Sequence, residues 1–301
     1  MPLKDLALAC TVVIIWGVNF SVIKIGLEEL PPILFSALRF LIVAIPAVLF
    51  IPFPKTSPWN LLGVGVFLGV FKFGLLFFAM KADASAGISS LILQAQVFFT
   101  ILLSAILYKE AIGRYQLLGI FIAMAGFSLF LFSSEGSVTS FGLVLLLLAA
   151  FFWALSNLIM KRTQGVNLLH FMVWVCLVPP IPLFTLSYFL ETQDPLTLII
   201  STNAKTWLSL AFVSYISTLI AFAIWGKLLR AHSAATVTPF ALLIPVVGVI
   251  TSSIILDEKL ETIEIIGFTL IMAGLICNSL YSKLLGLVKA SRQAVQVPPK
   301  I

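Results

Sequence analysis

The chain is predicted to be an all-α integral membrane protein, with ten transmembrane helices arranged as two inverted five-helix repeats. Three observations predict this: an apolar excess, apolar runs of bilayer length between short polar breaks, and an ordered set of residues that recurs at long range. Of the 301 residues, 61% are hydrophobic and 10% charged, and the mean hydropathy is +1.16. A water-soluble domain is about half apolar and about a quarter charged. So few ionisable groups cannot coat a surface that meets water, and the apolar side chains must face lipid.

A bilayer core of about 30 Å takes about 20 helical residues to cross. Runs of that kind fall at approximately 5–23, 32–52, 59–79, 85–107, 113–132, 140–160, 168–189, 206–226, 234–256 and 262–282. Between them lie short charged or Pro/Gly/Asn-rich breaks, the longest at Glu191–Lys205. A β-barrel would need polar and apolar residues in alternation, and these unbroken runs have none. The run from Leu6 to Cys10 is similar to a lipoprotein processing site, but the long apolar stretch follows Cys10 instead of preceding it. The first helix is therefore expected to stay as an uncleaved anchor.

Charge sets the expected direction. With both termini cytoplasmic, the inside carries Lys4, Lys55, Lys109, Arg114, Lys161, Arg162, Lys227, Arg230, Lys283, Lys289, Arg292 and Lys300. The outside then carries only Lys24, Lys81, Lys205 and Lys259, a threefold bias that fits the positive-inside rule. The net charge of +6 is spread between apolar runs and forms no stripe, which excludes a nucleic-acid partner. Cys10, Cys176 and Cys277 sit inside apolar runs at spacings that suit neither a disulfide framework nor a metal cluster, so they read as packing residues.

The halves resemble each other. WGVNFSVIK at Trp16–Lys24 and WALSNLIMK at Trp153–Lys161 share their tryptophan and lysine at an offset of 137. An offset of 148 then pairs Ser85-Ala86 with Ser233-Ala234, Ser104 with Ser252, Glu110 with Glu258, Gly119 with Gly267, and Met124-Ala125-Gly126 with Met272-Ala273-Gly274. The change of offset fits an insertion near the 191–205 loop. Residues 1–135 thus form a first repeat and 136–285 a second, while 286–301 read as a flexible basic cytoplasmic tail. Five spans are an odd number, so the second copy begins on the opposite side. Inverted repeats of this kind enclose a site near the membrane midplane.

Polar residues at depth are the candidates for that site. A charge inside lipid costs about 2.5–3.5 kcal/mol on insertion scales and usually faces a cavity or a partner. Lys72, in GVFKFG, is too central to snorkel easily, whereas Arg39, in SALRFL, either faces the cavity, snorkels outward or holds helix-end carbonyls. Both suit a substrate carboxylate. Gln94 and Gln96 cannot share a helix face, so one can line a cavity while the other bonds a neighbouring helix. Trp16 with Asn19 and Trp153 with Asn157 each pair a flat aromatic with an amide about one turn away. Pro239 and Pro245 break the ninth span, where freed carbonyls can line a cavity. Gly65 and Gly69 read as a close helix contact.

Nothing in the spacing suggests catalysis, and His170 and His232 lie near membrane edges without ligand-spaced partners. No phosphate-cradling loop is present, which excludes ATP-driven transport within this chain. No carboxylate lies in mid-span, so the coupling ion is left open. An enzyme is not expected, nor is a cofactor or a metal. The expected partners are a small-molecule solute and the lipid bilayer, with monomer or homodimer left open.

WGVNF at Trp16–Phe20, ALRF at Ala37–Phe40, Lys109-Glu110, the Gly119…Gly126 pattern, Trp153…Asn157, Pro245, LDEKL at Leu256–Leu260 and MAG at Met272–Gly274 stand in order along residues 5–283. Together they resemble the ten-helix EamA branch of the drug/metabolite transporter superfamily. LILQAQVFFTILL and IWGVNFSVIKIGL are similar to bacterial exporters of cysteine and O-acetylserine. The resemblance implies alternating-access efflux of amino acids or related metabolites across the inner membrane. It also implies a cavity lined by Trp16, Asn19, Lys72, Gln94, Gln96, Trp153 and Asn157, with Phe20, Arg39 and Pro245 as further candidates. Lys72 departs from the uncharged amide expected there, which favours substrates with an anionic group. The alternatives are multidrug or nucleotide-sugar transport, or a membrane-embedded enzyme or scaffold.

Overall fold

The computed structural model describes residues 1–132, 137–163, 165–232 and 234–295. Every regular element in them is helical. The spans are α1 (Leu3–Gly26), α2 (Pro32–Val48), α3 (Pro58–Ala82), α4 (Ala86–Tyr108), α5 (Arg114–Phe132), α6 (Ser140–Thr163) and α7 (Leu168–Leu190). They continue as α8 (Ala204–Ala231), then α9, which turns through Ala234–Val237 into Thr238–Leu256, and α10 (Thr262–Val295). Among the described residues, nine of these are long and apolar enough to cross a bilayer, and α2 is shorter, at 17 residues. An even number of crossings returns the chain to the face on which it began, called here the terminal face.

Local chemistry starts these helices where the sequence breaks. Ser85, Thr139, Asn167 and Asn203 accept hydrogen bonds from the first-turn N–H groups of α4, α6, α7 and α8. Proline opens α2 and α3, where its missing N–H has no intrahelical partner to lose. A short helix, Pro195–Ser201, lies in the long connection before α8. Asp194 caps it, and hydrogen bonds from Thr197 hold the Asp194 carboxyl below its usual range. A large apolar core, including Phe35, Phe77, Leu91, Leu146 and Leu210, ties the repeats together toward the face opposite the termini.

The duplication is repeated in backbone detail. α3 carries a π-helical stretch at Gly65–Lys72 and α8 one at Phe212–Ile220, and a shift of 148 lays the first on the second. α4 is interrupted at Leu93–Gln94, and α9 tightens into a 3-10 turn at the equivalent Thr238–Leu243. Both helices end on a left-handed residue, Lys109 and Asp257, each with φ of 54°. These coincidences, with five spans per unit, define two inverted repeats. The most extensive helix pairing, α5 on α10, joins equivalent helices of the two units.

Several expectations meet a different structure or fall outside it. α10 runs unbroken to Val295, past Gly286, so helix occupies much of the expected flexible tail. Residues 296–301, including Pro298, Pro299 and Lys300, lie outside the described residues. So do Ser233 and the expected repeat boundary at 135/136.

Candidate functional site

The π-helical stretch of α3 ends on Lys72, whose side chain points into the bundle and is buried. Its ammonium lies 3.4 Å from the centroid of the Phe73 ring and 4.8 Å from that of Trp153. Arg39, from α2, is also buried, with its guanidinium carbon 4.1 Å from the same Phe73 centroid. Phe40 and Phe77 flank it at 5.1 and 5.7 Å. Two cations thus share one aromatic ring. Arg39 Nη2 donates to Thr218 Oγ1 at 3.1 Å, while Nε and Nη1 find no acceptor among the described residues. Ser214 donates to the Arg39 carbonyl, so both contacts come from the π-helical stretch of α8.

No carboxylate pairs with either cation among the described residues. A desolvated cation–π contact contributes about 2 kcal/mol. That offsets most of the roughly 2.5–3.5 kcal/mol for placing one charge at depth, but not the repulsion of a second. Two like charges on one ring, at an effective dielectric near 20, repel by about 2 kcal/mol or more. An anion about 4 Å from either one would gain about 4 kcal/mol on the same basis. Among the described residues, no acidic side chain offsets these two basic groups.

The other candidates divide. Trp153 joins Lys72 directly. Asn157 donates to Gln96 Oε1 at 2.6 Å and Thr100 Oγ1 at 3.3 Å, tying α6 to α4. Gln94 is buried at the interruption of α4. Trp16 donates its indole N–H to the Ser217 carbonyl at 3.0 Å and packs on Phe222 and Trp225, so its polar end serves the α1–α8 contact. Asn19 is buried, with Oδ1 unpaired among the described residues. Phe20 is in the apolar core, and Pro245 is buried at the start of the second half of α9. Sequence reasoning passed over Phe73, Thr218 and Phe222. Only Phe73 carried a signal, as an aromatic adjoining a charge at depth.

Two cavities lie at the terminal-face ends of the helices. On the terminal face a cavity of about 360 Å³ is lined by Tyr108, Glu110, Lys161 and Arg162. A second, of about 460 Å³, lies between α6, α7 and α8 and reaches Phe171. Phe171 packs in a cluster that includes Phe222 and also Phe73 and Trp153, the two rings beside Lys72. On the opposite face α4 and α9 are locked together. The Glu258 carboxylate accepts from Ala86 N at 2.8 Å and Gly87 N at 3.1 Å. Lys24 donates to the carbonyls of Met80 and Ala84 at the end of α3. A Cβ on Gly87 would stand 2.5 Å from Ser252 Oγ, so only glycine allows this approach.

Inverted halves that bury basic and amide side chains at membrane depth define a polytopic membrane carrier of small solutes. The chain belongs to the EamA-like transporter family, which matches residues 3–132 and 140–280. It is 39% identical over 285 residues to a probable amino-acid metabolite efflux pump of Salmonella typhimurium, covering 92% of this chain and 95% of that one. It is 38% identical, with the same coverage, to a protein of the same description from Escherichia coli K12. A solved crystal structure matches with a TM-score of 0.63 at 18% identity, covering 95% of this chain and 99% of the other, and shows the shared fold.

Proposed function

We propose that this carrier exports carboxylate-bearing amino-acid metabolites, of the cysteine and O-acetylserine kind, from the cytoplasm across the bacterial inner membrane. Both termini lie on the cytoplasmic side, and substrate enters from the terminal face. One observation carries the reading: Lys72 and Arg39 are buried on Phe73 with no anionic partner among the described residues. A substrate carboxylate completes the set, with the free Arg39 Nε and Nη1 donors turned to it. The amides of Asn157 and Gln96 lie on neighbouring helices for its polar groups, and the rings of Trp153 and Phe73 for its carbon chain. Lys161 and Arg162 at the mouth draw anions inward. The names of the relatives in Salmonella typhimurium and Escherichia coli support amino-acid metabolites as the class.

The test is counterflow of labelled O-acetylserine in proteoliposomes, with unlabelled competitors. Free amino-acid metabolites are expected to compete, and the methyl ester of O-acetylserine to compete at least tenfold less well. Equal competition by the ester would remove the carboxylate from the reading. Absence of counterflow by every amino-acid metabolite tried would remove the substrate class.

A further inference from the structure

The locked face provides a template for how the open one closes. At the locked face, Glu258 caps the first N–H groups of α4, and Lys24 caps carbonyls at the end of α3. The repeat offsets carry each of these groups to the terminal face. Glu258 answers to Glu110, and Lys24 to Lys161. The capped Ala86 and Gly87 answer to Ala234 and Ala235, where α9 begins. The carbonyls of Met80 and Ala84 answer to those of Leu228 and His232, at the end of α8. In the present state Glu110 and Lys161 hold each other at 2.5 Å, half-exposed, at the mouth of the cavity.

We propose that Glu110 and Lys161 form the cytoplasmic gate of this carrier and close it by exchanging partners. Their ion pair belongs to the open state. In the closed state Glu110 moves onto the first N–H groups of α9, and Lys161 onto the last carbonyls of α8. The proposal rests on export by alternating access and adds the residues that perform one half of the cycle.

Energetics allow the exchange. An exposed ion pair is weak, because water screens both charges, so it is readily given up. A carboxylate on helix N-terminal N–H groups makes stronger, charge-assisted hydrogen bonds, favoured further by the helix dipole. The exchange itself therefore favours closure, and what lets the gate reopen comes from the packing that it meets. The glycines of the locked face are not repeated: Gly87 and Gly248 answer to Ala235 and Thr100. Closure at the terminal face thus meets side-chain bulk where the other face has none, and its hold depends more on the two charges.

The experiment uses the full-length protein in nanodiscs, with Cys10, Cys176 and Cys277 replaced by serine and paired spin labels. One label pair spans the terminal-face ends of α4 and α9, and another spans their opposite ends. This readout needs no known substrate, so it fails or succeeds separately from the proposed export. Glu110→Gln and Lys161→Met are each expected to lower the closed population at the terminal face at least tenfold. Export of O-acetylserine from loaded cells should fall in step, with membrane abundance unchanged. The charge-swapped double variant, Glu110→Lys with Lys161→Glu, decides the mechanism. It restores an ion pair, but a lysine cannot accept from N–H groups, nor a carboxylate donate to carbonyls, so no closure is expected. Recovery of closure in the swap, or an unchanged closed population in both single variants, overturns the proposal.

Discussion

A Cβ atom added to Gly274 would stand 2.5 Å from the carbonyl oxygen of Gly119, so α5 and α10 meet there backbone against backbone. The equivalent contact, Gly126 against the Gly267 carbonyl, lies further along the same crossing at 2.8 Å. Each pair is the image of the other under the 148-residue offset. In lipid such packing does what hydrophobic exclusion does in water, because small residues let dispersion contacts form along the backbone.

Gly119→Ala and Gly274→Ala are therefore expected to destabilise the protein by about 1–3 kcal/mol, the usual cost of overpacking. The thermal midpoint in detergent measures this. Gly74→Ala is the control, since its added Cβ would meet only Leu183 at an ordinary 3.9 Å. A fall of similar size in the control would show that the α5–α10 crossing has no special role.

The helices, their number and the duplication were legible in the sequence because lipid imposes length and composition, and because the offsets survive in residue identity. Lys72 and Arg39 were legible for the same reason: a charge in an apolar run stands out. Less visible were features that arise from distant partners. Trp16 read as a substrate-facing aromatic, but its indole N–H bonds the Ser217 carbonyl within the π-helical stretch of α8. Nothing near residue 217 in the chain announces that stretch. Glu258 read only as a repeat marker, yet its carboxylate lies on the N–H groups of residues 86 and 87, far away in sequence.

Removing the Lys72 charge tests the anion site directly. A hydrogen bond to a charged group contributes about 1.5–3 kcal/mol, which corresponds to about tenfold to a hundredfold in affinity. Lys72→Gln is expected to raise the KM for O-acetylserine export by that factor while membrane abundance stays level. It should leave competition by the methyl ester nearly unchanged. Loss of abundance with unchanged KM would place Lys72 in packing alone.

Thr218 is a positioning residue for the second cation, through its contact with Arg39 Nη2. Thr218→Val keeps the side-chain shape and removes the hydroxyl, freeing the guanidinium to turn on Phe73. The expected result is a rise in KM of a few-fold with little change in maximal rate, and recovery in Thr218→Ser. A valine variant with wild-type KM would show that Phe73, Phe40 and Phe77 hold the guanidinium unaided.

Glu191 at the end of α7 reaches the start of α2, accepting from Ile33 N at 2.7 Å and Leu34 N at 3.0 Å. Ser187 donates to the same carboxylate at 2.8 Å. Proline at positions 31 and 32 removes two backbone donors from that helix start, leaving these N–H groups to a side chain from the other repeat. Replacing a helix cap costs about 0.5–2 kcal/mol, and here the lost cap also joins α2 to α7. Glu191→Ala is expected to fall in the upper part of that range, read as a lower thermal midpoint. Glu191→Gln, which keeps one acceptor oxygen, should lose about half as much. Because α2 carries Arg39, Glu191→Ala should also weaken O-acetylserine export, with hydrogen exchange rising first at residues 33–36. If exchange rises there while export is unaffected, the α2 start and the Arg39 site are mechanically independent.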